Sequence, residues 1–292
     1  MSIQLRFTPI EMLTPRISNK LPFTLQISSN IIYKALNVRL LSGFLDIKCE
    51  FSNKILKQRN NYFILPFKKN ERFSWNIIEN SINPFTIIEF DKAVMRSRSK
   101  NFMFHREIFF EFCHYFYQKS INNHVSSFVH IYRILERISY CLPLMWASRT
   151  KNFEGTFEKL QIFFAKDKKE LTIFDNFMKD ITEDTNLDVT VDFNILSQHP
   201  SWGEIYYKTI EKVLEANVYS KTPYSQIKTT NRHIIKMIIN IRNKYFHFLT
   251  GKNESFDSGS IVDPNEFFGI VNENFLNWLS FIYFEILSYE LE

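Results

Sequence analysis

The hydrophobic period of this chain changes near residue 100, and that change limits the folds open to it. From Phe102 onward, apolar residues recur at three- and four-residue spacing, the mark of helices with one buried stripe. Phe128, Ile131, Tyr132, Leu135, Ile138 and Leu142 follow this rule between about Val125 and Leu142, with Arg133, Glu136 and Arg137 on the other faces. Phe102 to Lys119 is dense in aromatics, and Ser120-Ile121-Asn122-Asn123 separates the two runs. An antiparallel helical hairpin is the expected result, with Pro143 disrupting its second helix or marking its end. Upstream the pattern differs. Phe23-Thr24-Leu25-Gln26-Ile27, Tyr62-Phe63-Ile64-Leu65-Pro66 and Phe85-Thr86-Ile87-Ile88-Glu89-Phe90 are short β-branched or aromatic runs bounded by Pro and Asn, which predicts strands. Leu36 to Phe51 reads equally as strand or helix. The expected architecture is mainly α, with a small β-containing or mixed module over 1–95 and a helical domain over 96–292.

Within that domain, residues 150–198 read as an insertion between helix pairs. Phe153 to Ala165 and Lys168 to Ile181 suit short amphipathic helices, and Asn186 to Ile195 alternates apolar and polar residues as an exposed strand or extended loop does. Ser201-Trp202-Gly203-Glu204 resembles a helix start, continued through Tyr206, Ile210, Val213 and Leu214. A further helix is expected from Asn231 to about Leu249, closed by Thr250-Gly251, where glycine suits a left-handed cap. A polar loop, Lys252 to Ser260, then leads to a last helix from about Pro264 to Leu291. No internal repeat or low-complexity tract interrupts this order.

Composition narrows the class. Only six Gly and nine Pro in 292 residues argue against a turn-rich all-β fold. The 31 Phe are first of all core residues. A net charge of +5 suits an anionic partner without identifying one. Cys49, Cys113 and Cys141 lie far apart with no C-x-x-C pair, as expected of reduced thiols rather than a disulfide framework or a zinc site. The N-terminal residues lack the apolar stretch of a signal peptide, and Asn277, Ser280 and Glu285 interrupt the apolar run Phe275–Leu287. A cytoplasmic protein without a membrane span is expected.

The residues that carry chemistry lie on the helix from Asn231. Ile234, Ile235, Ile238, Ile241, Tyr245 and Phe248 form its core stripe, and near its end stands Arg242-Asn243-Lys244-Tyr245-Phe246-His247. Asn243 and His247 share a face one turn apart. Arg242 and His247 are roughly 140° apart on an ideal helix, so a bent last turn or a second subunit is needed to bring both to one phosphate. The residue types suit RNA cleavage by the RNA's own 2′-hydroxyl. That reaction needs a proton carrier of near-neutral pKa, the usual role of His, and a forked cation for the charge that builds on phosphate, the role of Arg. Asn243 can position either His247 or substrate. Spacing alone is weak, since Arg98 to His105 satisfies a looser form with no helix ahead of it. The Asn beside Arg242, the preceding apolar stripe and Gly251 are what raise the match.

This segment resembles the Arg-Asn-x-x-x-His signature of the HEPN superfamily, helical bundles whose penultimate long helix carries Arg, a polar residue and then His. The aromatic helix pair at 102–142 is similar to the first two helices of that bundle, and the last helix to its closing one. The resemblance implies a metal-independent endoribonuclease with Arg242, Asn243 and His247 in the site and no cofactor. It also implies a homodimer that pairs two motifs, in a class common among toxins and antiphage-defence proteins. The target would be RNA, such as a tRNA or an mRNA, with an inhibitory or activating protein partner as a further expectation.

Plainer roles stand beside these. His247 can be a histidine half-buried between Phe246 and Phe248, with Arg242 solvated. Arg232, Lys236, Asn240 and Lys244 form a polar ridge at four-residue intervals, a solvated face by default and an RNA-backbone track (Arg232, Lys236, Lys244) otherwise. Glu136 and Arg133 could support the site, but an exposed ion pair is the simpler reading. His105, Glu107, Glu111 and His114 hint at metal-ligand spacing but match no recognised pattern, and no metal is assigned to them. From a different class, the alternative to the enzyme is a non-catalytic helical module that binds RNA or a protein partner.

Overall fold

The computed structural model describes residues 6–19, 21–27, 31–68, 82, 85–164, 177–178, 182–246, 256 and 260–291. Apart from one-turn helices at Pro15–Ser18 and Asp184–Leu187 and two 3₁₀ turns, its elements in chain order are β1 (Phe7–Ile10), α1 (Tyr33–Leu41), β2 (Asp46–Cys49), β3 (Ile55–Lys57), α2 (Ile87–Arg96), α3 (Phe102–Ser120) and α4 (His124–Ser139). There follow α5 (Cys141–Arg149), α6 (Phe153–Phe164), β4 (Thr190–Asn194), α7 (Pro200–Leu214), β5 (Ser220–Thr222), β6 (Gln226–Thr230), α8 (Ile234–Phe246) and α9 (Pro264–Leu291). Among the described residues the chain is mainly helical, with two small antiparallel sheets. Backbone contacts divide it into two compact units, Met1–Ile134 with Leu279–Glu292, and Leu135–Trp278. Both divisions fall inside a helix, α4 and α9, rather than at residue 95.

In the first unit, β1, β2 and β3 pair in sequence order, with Phe7 opposite Cys49 and Ile47 opposite Leu56. α1 is buried along its whole length from Lys34 to Leu41 and lies against α3. This contact joins the first residues of the chain to the helices after 100. The turn from α1 into β2 needs Gly43, whose φ is +87° and whose added Cβ would meet the Arg59 carbonyl carbon at 2.9 Å. Arg39, buried on α1, donates to both carboxylate oxygens of Glu11 and to the carbonyls of Leu25 and Phe44. One guanidinium thereby fixes three separate stretches of chain. The α3–α4 pair is antiparallel: Tyr115 is bonded from Ser127, and Glu111 meets His130 and Arg133.

Three expected strands are not strands. Phe23–Leu25 is a 3₁₀ turn after Pro22, held by the Thr24 amide and hydroxyl on Asp91. Residues 62–66 form bends, with Tyr62 donating its amide to the Leu41 carbonyl and stacking on Phe67. The run from Phe85 begins α2. Thr86 accepts from the Glu89 amide while Glu89 accepts from the Thr86 amide, a capping box that overrides the β-branched pair Ile87-Ile88. The ambiguous stretch 36–51 is both things in turn, the end of α1 and then β2. Pro143 stands at the third position of α5, where its missing N–H breaks no helical bond.

In the second unit, the sheet runs β4-β6-β5, and β4 places Phe193 opposite Ile227. Both side chains are buried, with Phe193 edge-on to Phe275 of α9. The segment read as an insertion thus supplies the strand that pairs with β6, directly ahead of α8. The β5–β6 hairpin was not expected from the sequence. α7 begins at Pro200, and Tyr206 from it accepts from the Asp263 amide at 3.1 Å, at the start of α9. Among the described residues no helix is long and apolar enough to cross a membrane. The helix expected over 168–181 lies mostly outside the described residues.

Candidate functional site

The candidate site is built on α8. The strand β6 ends at Thr230, and Asn231–His233 makes a 3₁₀ turn before the α-helix proper begins at Ile234. The turn is tied back to the β4 side: the Asn231 side chain donates to the Asn186 carbonyl at 3.0 Å, and its backbone amide donates to that of Val189 at 3.1 Å. Ile234, Ile235, Ile238 and Ile241 of the expected stripe are buried, joined by Met237. Burial of that one face sets the rotation of the helix, and it turns Arg242, Asn243 and Lys244 to half-buried positions. Tyr245 lies edge-on to Phe268 of α9 at 5.1 Å, which pins the last described turn.

Arg242 and Asn243 are coupled directly: Arg242 Nη1 donates to Asn243 Oδ1 at 3.1 Å. Adjacent helical positions do not ordinarily face each other. The bond therefore requires the two side chains to bend toward one another, and it orients the fork of the guanidinium. His247, Phe248 and the Thr250-Gly251 cap lie outside the described residues.

The ridge residues have separate surroundings. Arg232 bridges Asp184 at 2.8 Å and Asp188 at 2.9 Å, and these carboxylates raise its pKa. Lys236 Nζ lies 3.4 Å from Glu215. Lys244 sits over the ring of Phe256, and its carbonyl accepts from the Phe256 amide at 3.0 Å. Asn240 reaches the Val213 carbonyl of α7 at 3.4 Å. Two of the three cations thus stand beside carboxylates that offset their charge locally.

The His and Glu residues of α3 go to two different places. Six residues apart, His105 and Glu111 point to different faces of one helix. His105 is fully buried: its Nε2 meets Glu290 Oε2 at 2.7 Å, and its Nδ1 meets the Tyr283 hydroxyl at 2.9 Å. Glu290 also meets Lys34 Nζ at 2.9 Å, and Asn37 donates to Tyr283 at 2.8 Å. A carboxylate accepts, so Nε2 carries the proton and a neutral His105 accepts from Tyr283 through Nδ1. Glu111 and His114 instead meet His130, and Arg133 pairs with Glu111 rather than with Glu136. Among the described residues no three His, Cys, Asp or Glu side chains are disposed to hold a metal ion.

Sequence reasoning missed both groups. The second had a signal in the i,i+3 pairs Glu111/His114 and His130/Arg133 on neighbouring helices. The first had none, because Lys34 and Glu290 are 256 positions apart. No protein-family model, curated protein or solved structure matches the chain.

Proposed function

We propose that the protein is a metal-independent endoribonuclease of the HEPN kind, with its site at the end of α8. The observation that carries the proposal is the Arg242–Asn243 bond on the polar side of a helix whose apolar face is buried. The bond presents an oriented guanidinium at the point where the sequence continues to His247. In this reading the RNA 2′-oxygen attacks the adjacent phosphorus and the bond to the 5′-oxygen breaks. The products are a 2′,3′-cyclic phosphate and a 5′-hydroxyl. His247 serves as general acid or base, and Arg242 receives the charge that builds on the phosphate oxygens. Asn243 acts through Arg242 as a positioning residue. By the same resemblance the working form is a cytoplasmic homodimer, active in toxin or antiphage defence under the control of a partner protein.

The test is cleavage of RNA with EDTA present, analysed for 2′,3′-cyclic phosphate ends. Arg242→Ala and His247→Ala are each expected to lower the rate about a hundredfold or more while the protein stays folded. Equal cleavage by both variants and the parent would sink the proposal. RNA binding without turnover would favour the non-catalytic module. Growth arrest on expression, relieved by His247→Ala, gives the same answer in cells.

A further inference from the structure

The cations of the first unit are concentrated where α2 turns into α3. From Lys92 to Arg106 the sequence places five of them, Lys92, Arg96, Arg98, Lys100 and Arg106, and no Asp or Glu, which equals the +5 excess of the whole chain. Lys92 and Arg96 stand one turn apart on the exposed face of α2, and Arg98 and Lys100 are exposed on the turns that follow. Among the described residues no ion pair or side-chain hydrogen bond engages these four. The carboxylates just before them are taken. Glu89 caps α2 on the Thr86 amide and hydroxyl, and Asp91 accepts from the Thr24 amide and hydroxyl. Like charges one turn apart repel, so a helix surface serving stability alone would intersperse acids among them.

Hydrogen bonds from beneath hold this elbow in shape. The Ser97 amide donates to the Ala93 carbonyl at 3.0 Å, and the Lys100 amide donates to the Ser97 carbonyl at 2.9 Å. The buried Lys34 donates to that same Ser97 carbonyl at 2.7 Å, and the Asn101 side chain donates to Glu290 Oε1 at 3.3 Å. Ser97 and Asn101 thus tie the chain inward while Arg96, Arg98 and Lys100 are left in solvent. The first residue of α3 is Phe102, whose ring meets Tyr33 edge-on at 5.3 Å yet stays 40% exposed.

A row of uncompensated cations running into an exposed aromatic ring fits a chain of phosphates that carries flat bases. A membrane surface would ask for a broad apolar face, which Phe102 and Met103 do not provide. We propose that the α2–α3 elbow binds single-stranded nucleic acid, with Lys92, Arg96, Arg98 and Lys100 along the phosphates and Phe102 stacked on a base. The strip lies within the first unit and does not depend on the ribonuclease reading of α8.

The test is fluorescence anisotropy of the full chain with a labelled oligouridine of about sixteen nucleotides, its 2′-oxygens methylated so that no cleavage by them can intervene. The triple variant Arg96→Gln, Arg98→Gln, Lys100→Gln is expected to weaken binding about tenfold or more near 0.1 M salt. It should also lower the slope of log affinity on log salt by about 2, since each phosphate contact on a single strand contributes about 0.7. Phe102→Leu keeps the apolar cover and should weaken binding about fivefold with the slope unchanged. A control that removes three exposed cations of the second unit, Lys208→Gln, Lys212→Gln and Lys221→Gln, should weaken binding less than about threefold. Circular dichroism and thermal melting confirm that each variant is folded. No binding by the parent, or an equal loss in the control, overturns the proposal. So does binding to phosphatidylserine vesicles with none to the oligonucleotide. Oligothymidine run alongside separates DNA from RNA as the natural strand, and binding of either supports the proposal.

Discussion

Replacing Glu290 by Gln removes the carboxylate on which Lys34 and His105 depend, and the cost follows from the burial of that group. Lys34 Nζ is left with neutral acceptors, the Ser97 carbonyl at 2.7 Å and the new amide oxygen, and no counter-ion, while its side chain is 2% exposed. Breaking a buried ion pair from one side costs about 3–5 kcal/mol, because the remaining charge has no counter-ion and no water. Lysine can instead shed its proton, but that escape brings no relief. At about 1.4 kcal/mol for each pH unit below the ordinary 10.5, deprotonation at pH 7 costs about 5 kcal/mol. Because neutral acceptors still hold the ammonium, the lower figure, about 3 kcal/mol, is expected, and it corresponds to roughly a hundredfold in a local opening equilibrium. Native-state hydrogen exchange of the α1 amides reads this directly, with an expected acceleration of about a hundredfold in Glu290→Gln. Adding Lys34→Met should recover at least half of the loss, since the stranded charge is then gone. Acceleration below about tenfold in the single variant would refute the argument and mean that water reaches Lys34. The same network predicts loss of stability on the acid side. Burial holds His105 below its ordinary 6.5, against the opposing bond to Glu290, so the unfolded chain takes up the proton more readily. That contribution is complete above pH 6.5 and is lost as pH falls toward the folded value. Burial pushes Glu290 up, but the bonds from His105 and Lys34 outweigh it and hold the carboxyl below 4.5. A second loss therefore begins below that pH.

Two further changes test one position in each unit. Gly43→Ala forces a side chain into a positive-φ turn against the Arg59 backbone at 2.9 Å, and should cost more than about 1 kcal/mol in denaturant unfolding; a neutral result would mean that the turn rearranges. Arg232→Ala removes the bridge to Asp184 and Asp188, both largely exposed, so a loss of only about 0.5 kcal/mol is expected, with RNA cleavage unchanged. A large fall in cleavage without loss of stability would instead assign Arg232 to the RNA track.

Local pattern carried much of the helical reading. The stripes of α4 and α8 and the bounds of α9 follow from apolar spacing and caps, because one buried face imposes a 3.6-residue period on the residues that line it. The Arg242-Asn243 pair was legible for the same reason, as two polar residues on the open side of such a stripe. Short β-branched runs misled: Ile87-Ile88 reads as strand until Thr86 and Glu89 cap it, and Phe23-Thr24-Leu25 until Asp91 holds Thr24. In each case a few hydrogen bonds outweighed a propensity worth less than one of them.

By itself, then, the sequence determined the mainly helical class, the periodic helices and a forked cation next to an asparagine on one of them. Only the tertiary structure decided the partners of the charges. His105 and His114 look alike on α3, yet one is sealed against Glu290 and Tyr283 while the other stacks on His130. Glu111 could have faced water and instead is buried against His130 and Arg133. Periodicity is a property of neighbours along the chain. A buried charge must find its counter-ion wherever the fold brings one, and for Lys34 that lay at the opposite end of the sequence.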